Sequence, residues 1–172
     1  MKIIVTGSLA FDQIMDFPGK FSDSIMPEKI HQINLSFLVN KLTKQRGGTA
    51  GNIAYNLALL GMKPSILATA GYDFGNYRKE LVKVGVDDTA IRITVSEPTA
   101  SAYIFTDQAD NQITGFYPGA MKEAGKLSIK DVILPKCHSE RSEESPANAG
   151  ANKLRDPSTS LGMTIKSFVV IS

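Results

Sequence analysis

Arg46-Gly47-Gly48-Thr49-Ala50-Gly51-Asn52-Ile53-Ala54-Tyr55-Asn56-Leu57-Ala58-Leu59-Leu60-Gly61 is the stretch that decides the fold. Ile53, Leu57 and Leu60 recur at i, i+4 and i+7, with the small Ala50, Ala54 and Ala58 beside them, which predicts a helix. Gly47-Gly48-Thr49 opens it. Gly61 stands where a left-handed C-terminal cap belongs, and Pro64 follows. On either side lie two short apolar runs, Lys2–Thr6 and Ser65–Ala70, each of buried-strand character. Asp73 is placed to cap a second helix with Phe74, Tyr77, Leu81 and Val84 on one face and Gly85 after it. Strand, helix, strand, helix is the order of an α/β layered fold with a largely parallel sheet.

Further from this centre the pattern changes. Phe11–Pro18 is a short run broken by Pro18-Gly19. Ile33, Leu35, Phe37 and Val39 alternate with polar residues, and that period of two predicts a strand with one apolar face. Thr99–Thr106 and Ile113–Tyr117 read as two strands joined by the polar loop Asp107-Gln108-Ala109-Asp110-Asn111. Hairpin strands after βαβα units predict a small accessory sheet. From Cys137 to Thr164 there is no Val, Ile, Phe or Tyr. Such a segment buries too little apolar surface to offset its ordering entropy. Ser167–Ile171 then resumes a buried-strand pattern.

Composition narrows the function classes. The chain has 172 residues, which bounds it to one domain or one domain plus a tail. A net charge of +2, with no basic stretch interleaved with aromatics, gives no argument for nucleic acid or an anionic membrane. No segment approaches the roughly 20 apolar residues that span a bilayer. The N-terminus lacks a signal-peptide pattern. The single cysteine, Cys137, rules out an internal disulfide framework. The expected location is the cytoplasm.

Two constellations carry candidate chemistry. Ser8 and Asp12 flank the C-terminal end of the first predicted strand, where ligands of open α/β sheets bind. A carboxylate there can orient a sugar by accepting bonds from neighbouring hydroxyls; the plainer alternative is that Asp12 caps a turn. Gly47, Gly48 and Asn52 form the second group. Glycines at a helix start let a ligand approach backbone N–H groups, the helix dipole favours oxygen-rich partners, and the Asn52 amide can both donate and accept. A tight turn packed against a sheet is the alternative there. No lysine follows the glycines at Walker spacing, and Gly7-Ser8-Leu9-Ala10 lacks the second glycine of a dinucleotide fingerprint. His31 and His138 are the only histidines, and no set of residues has transition-metal spacing. Hydrolase triads are equally poorly supplied.

Taken together, Arg46–Gly61 resembles the first signature of the PfkB/ribokinase family of carbohydrate kinases: a glycine pair, an asparagine, small and apolar residues, and a closing glycine. Val5-Thr6-Gly7-Ser8 with Asp12 resembles the family's opening strand and sugar-binding aspartate. Ala70-Gly71-Tyr72-Asp73-Phe74-Gly75 resembles the stretch after the second strand, and Leu81 through Gly85-Val86-Asp87 the ending of the next helix. Four motifs in order, over about Met1 to Lys136, are specific. Val5–Ala10 and Phe116-Tyr117-Pro118-Gly119-Ala120 look most like adenosine-kinase-like members. The resemblance implies a ribokinase-like three-layer α/β sandwich, here incomplete, with a small β-sheet lid. It also implies phosphoryl transfer from ATP, with Mg2+, to a hydroxymethyl group of adenosine, ribose or a related sugar. By motif match Ser8, Asp12, Gly47, Gly48 and Asn52 face the substrate; Phe37, Ser101 and Tyr103 are candidates from the lid. A homodimer through the lid is a further expectation.

The departure from the family is the second signature, Asp-Thr-x-Gly-Ala-Gly-Asp, which does not occur in these residues. It supplies the family's anion hole and its catalytic base, so no catalytic residue is assigned here. The ATP site belongs with it. The expected organisation is therefore residues 1–136 as the first part of the kinase domain with its lid strands, 137–166 as a disordered insertion, and 167–172 as the start of the next core strand. Cys137–Ser145 and Asp156–Thr164 resemble translated repetitive DNA, which favours an interrupted gene over a natural family-specific loop. The alternative function is a non-catalytic sugar- or nucleoside-binding or interaction module.

Overall fold

The computed structural model describes residues 2–32, 34–133 and 168–171. In chain order the elements are β1 (Lys2–Thr6), β2 (Ala10–Asp16), α1 (Phe21–Ser24), a 3₁₀ segment (Pro27–Gln32), β3 (Lys41–Gly47), α2 (Thr49–Leu59), β4 (Pro64–Gly71), α3 (Gly75–Lys83), β5 (Ile91–Thr94), β6 (Ala100–Thr106), β7 (Gln112–Tyr117), a second 3₁₀ segment (Gly119–Lys126), α4 (Lys130–Ile133) and β8 (Phe168–Ile171). The segment expected to be disordered, residues 137–166, lies outside the described residues, as do Cys137 and His138.

Two sheets form. The core sheet runs β5-β4-β1-β8, and every neighbouring pair in it is parallel. β8 lies beside β1, with Ile3 level with Val169 and Val5 level with Ile171. The second sheet runs β3-β2-β6-β7; β2 pairs antiparallel with β3 and parallel with β6, and β6 and β7 make the expected antiparallel hairpin. This second sheet is the lid. It recruits β2 as well as the hairpin.

The core sits between the central sheet and the two longer helices. Ile3, Val5, Ile66, Ala68 and Ala70 meet Ala50, Ala54 and Ala58 of α2 and Phe74, Tyr77 and Leu81 around α3. Here α2 corrects an expectation. Its buried stripe is the alanine row, while Leu60, expected on the apolar face, is 74% exposed. Small side chains let the helix backbone lie close to the sheet, and the larger Ile53 and Leu57 pack at the margin. Gly61 does adopt the left-handed conformation, at φ +82°. Asp73 does not cap α3: its Oδ1 instead accepts the Thr99 amide at 2.8 Å and ties the end of β4 to the entry of β6.

The strand expected over residues 33–39 does not form. Asn34–Val39 carries no strand, and Ile33 lies outside the described residues. Leu38 is 85% exposed. Phe37 packs with its ring centroid 4.7 Å from Phe17 and 5.3 Å from Phe21, so its alternation served a local aromatic cluster rather than a sheet. The strand next to β2 is Lys41–Gly47 instead.

The loop between β6 and β7 is built around Asp107, which is buried. Burial alone would push its carboxyl up. Hydrogen bonds from the Phe21 amide, the Asn111 side chain and the Asn111 and Ala109 amides outweigh burial and hold it at about 2, down from an ordinary 3.8. The folded value lies below the unfolded one. The stability these bonds give is therefore complete above the unfolded value and is lost as the pH falls through the folded value. An NMR titration of the Asp107 carboxyl carbon is expected to show a midpoint near 2. A midpoint at the ordinary carboxylate value would mean that the loop bonds are not made in solution.

Candidate functional site

The turn from β3 into α2 is where the two candidate constellations meet. Gly48 has φ +88°, in the left-handed region, and a Cβ on it would lie 2.5 Å from the Ser8 carbonyl oxygen and 2.8 Å from the Ala10 nitrogen. Only glycine lets the turn approach the β1–β2 loop this closely. The loop in turn caps the helix. The Thr49 amide donates to Ser8 Oγ at 3.0 Å, the Ala50 amide donates to the Ser8 carbonyl at 3.0 Å, and the Ser8 amide donates to Thr49 Oγ1 at 3.3 Å. Ser8 thus acts as a cap supplied from another element. Two of the N–H groups expected to face a ligand are already bonded to it.

Asp12 sits on the adjoining strand with its carboxylate against Gly47. A Cβ on Gly47 would lie 2.6 Å from Asp12 Oδ1. Among the described residues, none donates a hydrogen bond to this half-buried carboxylate. Asn52 is exposed in the first turn of α2, with its backbone N–H donating to the Gly48 carbonyl at 3.1 Å. Ser8, Asp12, Gly47, Gly48 and Asn52 are therefore all brought to this one turn.

The lid candidates are not. β2 and β6 pair with Phe11 level with Ser101, Asp12 level with Ala102, and Gln13 level with Tyr103. Strand alternation places Ser101 and Tyr103 on the opposite face of the lid from Asp12. Ser101 is buried, its hydroxyl donating to the Thr99 carbonyl at 3.3 Å. Phe37 packs on Phe17, five residues beyond Asp12 along the chain and roughly 16 Å at strand spacing.

That opposite face, where β3 meets α3, carries an open cleft of ≈ 240 Å³ lined by Phe11, Lys44, Arg46, Asp73, Asn76 and Glu80. Its charges answer one another. Arg46 pairs with Glu80 at 2.9 Å and stacks on Tyr55 at 3.8 Å, while Lys44 lies 3.9 Å from the Phe11 ring centre and 4.0 Å from Asp73. The floor of the cleft includes a residue read from sequence only as part of an apolar helix face. Tyr77 is 1% exposed, and its hydroxyl donates to the Gly47 carbonyl at 2.9 Å. Burial pushes this phenol up to about 12, with Arg46 pulling the other way. A tyrosine at a fully buried helix position needs a partner for its hydroxyl, and that was the signal available.

Comparison with known proteins bears on this geometry. The description "pfkB family carbohydrate kinase" matches residues 9–137, which include β2, the glycine turn, α2, α3 and the lid hairpin. The chain belongs to the pfkB carbohydrate kinase family. Within this family it is 33% identical over 129 residues to a nucleoside kinase of Methanocaldococcus jannaschii, covering 74% of this chain and 39% of that protein. Among solved structures it resembles the Burkholderia thailandensis nucleoside kinase in complex with inosine, at 39% identity and a TM-score of 0.62, covering 73% of this chain and 39% of the other. The same enzyme in complex with ADP-inosine matches at 41% identity and a TM-score of 0.56, covering 71% and 39%. The chain thus spans about two-fifths of the length of the relatives it matches, with the ribokinase-like α/β fold incomplete to that extent.

The family uses ATP. Among the described residues no group of three or more His, Cys, Asp or Glu could hold a metal ion. No lysine follows the glycine turn at phosphate-binding spacing. No described residue is therefore assigned to ATP or Mg2+. No described helix is long and apolar enough to cross a membrane.

Proposed function

We propose that this chain carries the acceptor side of a cytoplasmic, ATP-dependent nucleoside or sugar kinase, and that Asp12 and Asn52 hold the hydroxyls of inosine, adenosine, ribose or a related sugar. The observation that carries this reading is the Asp12 carboxylate, seated against a glycine and given no hydrogen-bond donor by the described residues. The carboxylate oxygens stay open to solvent, and a sugar diol would offer them two directed donors in place of water. Asn52 adds a donor and an acceptor on the helix side of the turn. Ser8, Gly47 and Gly48 shape the floor of the site. Inosine is the ligand of the solved relative and the natural first probe.

Losing hydrogen bonds to a charged group costs about 1.5–3 kcal/mol. Asp12→Ala should therefore weaken inosine binding roughly ten- to a hundredfold in a calorimetric titration. Equal affinity in the folded variant would remove Asp12 from the site. The alternative reading is a sugar- or nucleoside-binding module without turnover. Binding without phosphoryl transfer is its mark. Two copies pair through the face of the lid opposite Asp12, where Leu42 and Tyr103 are 62% and 41% exposed. Sedimentation analysis of Leu42→Lys against the parent chain reads this directly.

A further inference from the structure

We infer that Tyr77 is a positioning residue for the acceptor site: its hydroxyl holds the Gly47 carbonyl and thereby fixes where the glycine turn and the first turn of α2 stand relative to Asp12. This rests on the acceptor-site reading above.

Three observations converge on the one hydroxyl. It donates to the Gly47 carbonyl at 2.9 Å, at the end of β3. It also abuts Gly51, in the first turn of α2: a Cβ there would run into it and would lie 3.2 Å from Leu9 Cδ2. One oxygen therefore touches the chain just before the turn and just after it. The ring is clamped as well, with its centroid 5.1 Å from Phe74 and 5.8 Å from Phe11. Phe11 is the neighbour of Asp12 on β2, so the same side chain gauges both the strand that carries the carboxylate and the turn that faces it. Because α3 supplies Tyr77, the bond ties a third element to the site. The hydroxyl stays protonated through any ordinary assay range, so the donor is always present. Tyr77 is on the core side of the lid and is buried, so it acts through Gly47 and is not in contact with ligand.

Tyr77→Phe keeps the ring and removes only the donor. Two measurements on the full chain decide the inference. In the ligand-free protein, the amides of Thr49 and Ala50, which donate to Ser8, should exchange about tenfold faster in Tyr77→Phe, while those of β1 and β4 stay as they were. In an inosine titration, the same variant should bind about five- to tenfold more weakly. Leu81→Ala, on the same helix and fully buried but away from the turn, is the control. It should lower the melting temperature at least as much and leave the inosine affinity of the folded protein in place. Unchanged exchange at Thr49 and Ala50 would overturn the inference. So would faster exchange with unchanged affinity, or an equal affinity loss in Leu81→Ala. If the parent chain does not bind inosine at all, the acceptor-site reading falls, and the exchange measurement still decides whether Tyr77 holds the turn.

Discussion

Gly48→Ala should lower the stability of the chain by about 2–5 kcal/mol. A left-handed backbone costs a residue with a Cβ about 1–2 kcal/mol. Overpacking adds typically 1–3 kcal/mol. The atoms in the way are the Ser8 carbonyl oxygen and the Ala10 nitrogen, both backbone, and neither can step aside without moving the β1–β2 loop. For a chain of this size the loss corresponds to a melting temperature lower by roughly 5–20 °C. Gly61→Ala is the internal comparison. Its φ is +82°, yet nothing lies within 4 Å of its Cβ position. It should show only the conformational part, about 1–2 kcal/mol. Thermal unfolding of the two variants side by side separates strain from contact. Coincident melts would mean that the glycine turn is not packed against Ser8 and Ala10 as described.

The second large effect is on turnover. The purified 172-residue chain, given inosine and ATP and freed of host kinases, should yield no phosphorylated product above background. Phosphoryl transfer depends on positioning, on neutralising the charge of the transferring group and on a base near the acceptor hydroxyl. The sequence has no Asp-Thr-x-Gly-Ala-Gly-Asp signature to supply the last two. A missing base costs about 10²–10⁴ in rate, and a missing anion hole about 10²–10³. On the acceptor-side reading proposed above, the combined loss should take turnover of these 172 residues below ordinary detection, even without clean multiplication. Labelled-phosphate transfer from ATP is the assay. Product at ordinary enzyme rates would place a donor site and a base within this chain and would end the reading as the acceptor side alone.

Much of the fold was legible because its signals are local. The Gly47-Gly48 start and the Gly61 stop bracket α2 within a residue or two. The apolar run at Ser65–Ala70 is β4 with one residue added at each end, and every residue of that strand is buried. The lid hairpin fell where its polar loop put it. What could not be read depends on which strand lies next to which. Lys41–Gly47 pairs with β2 at the edge of the lid, where most of its side chains face water and no apolar alternation is needed. Charged residues suit such an edge, and they hid the strand behind the cleaner alternation of residues 33–39. The candidate site divides in the same way. Asp12, Gly47, Gly48 and Asn52 follow from short motifs. That Ser101 and Tyr103 turn away from Asp12 follows from the parallel β2–β6 register, which pairs residues about ninety positions apart. Ser8 was visible as a site residue, but its part as the cap of α2 needed the fold to bring it to Thr49.

The central claim is that a nucleoside seats at the glycine turn, on the Asp12 face of the lid. Amide chemical-shift mapping of the ligand-free chain on addition of inosine tests it most directly. The shifted resonances should cluster at Ser8, Asp12, Gly47, Gly48 and Asn52. Shifts clustered instead at Lys44, Asp73, Asn76 and Glu80, around the cleft on the opposite face, would contradict it.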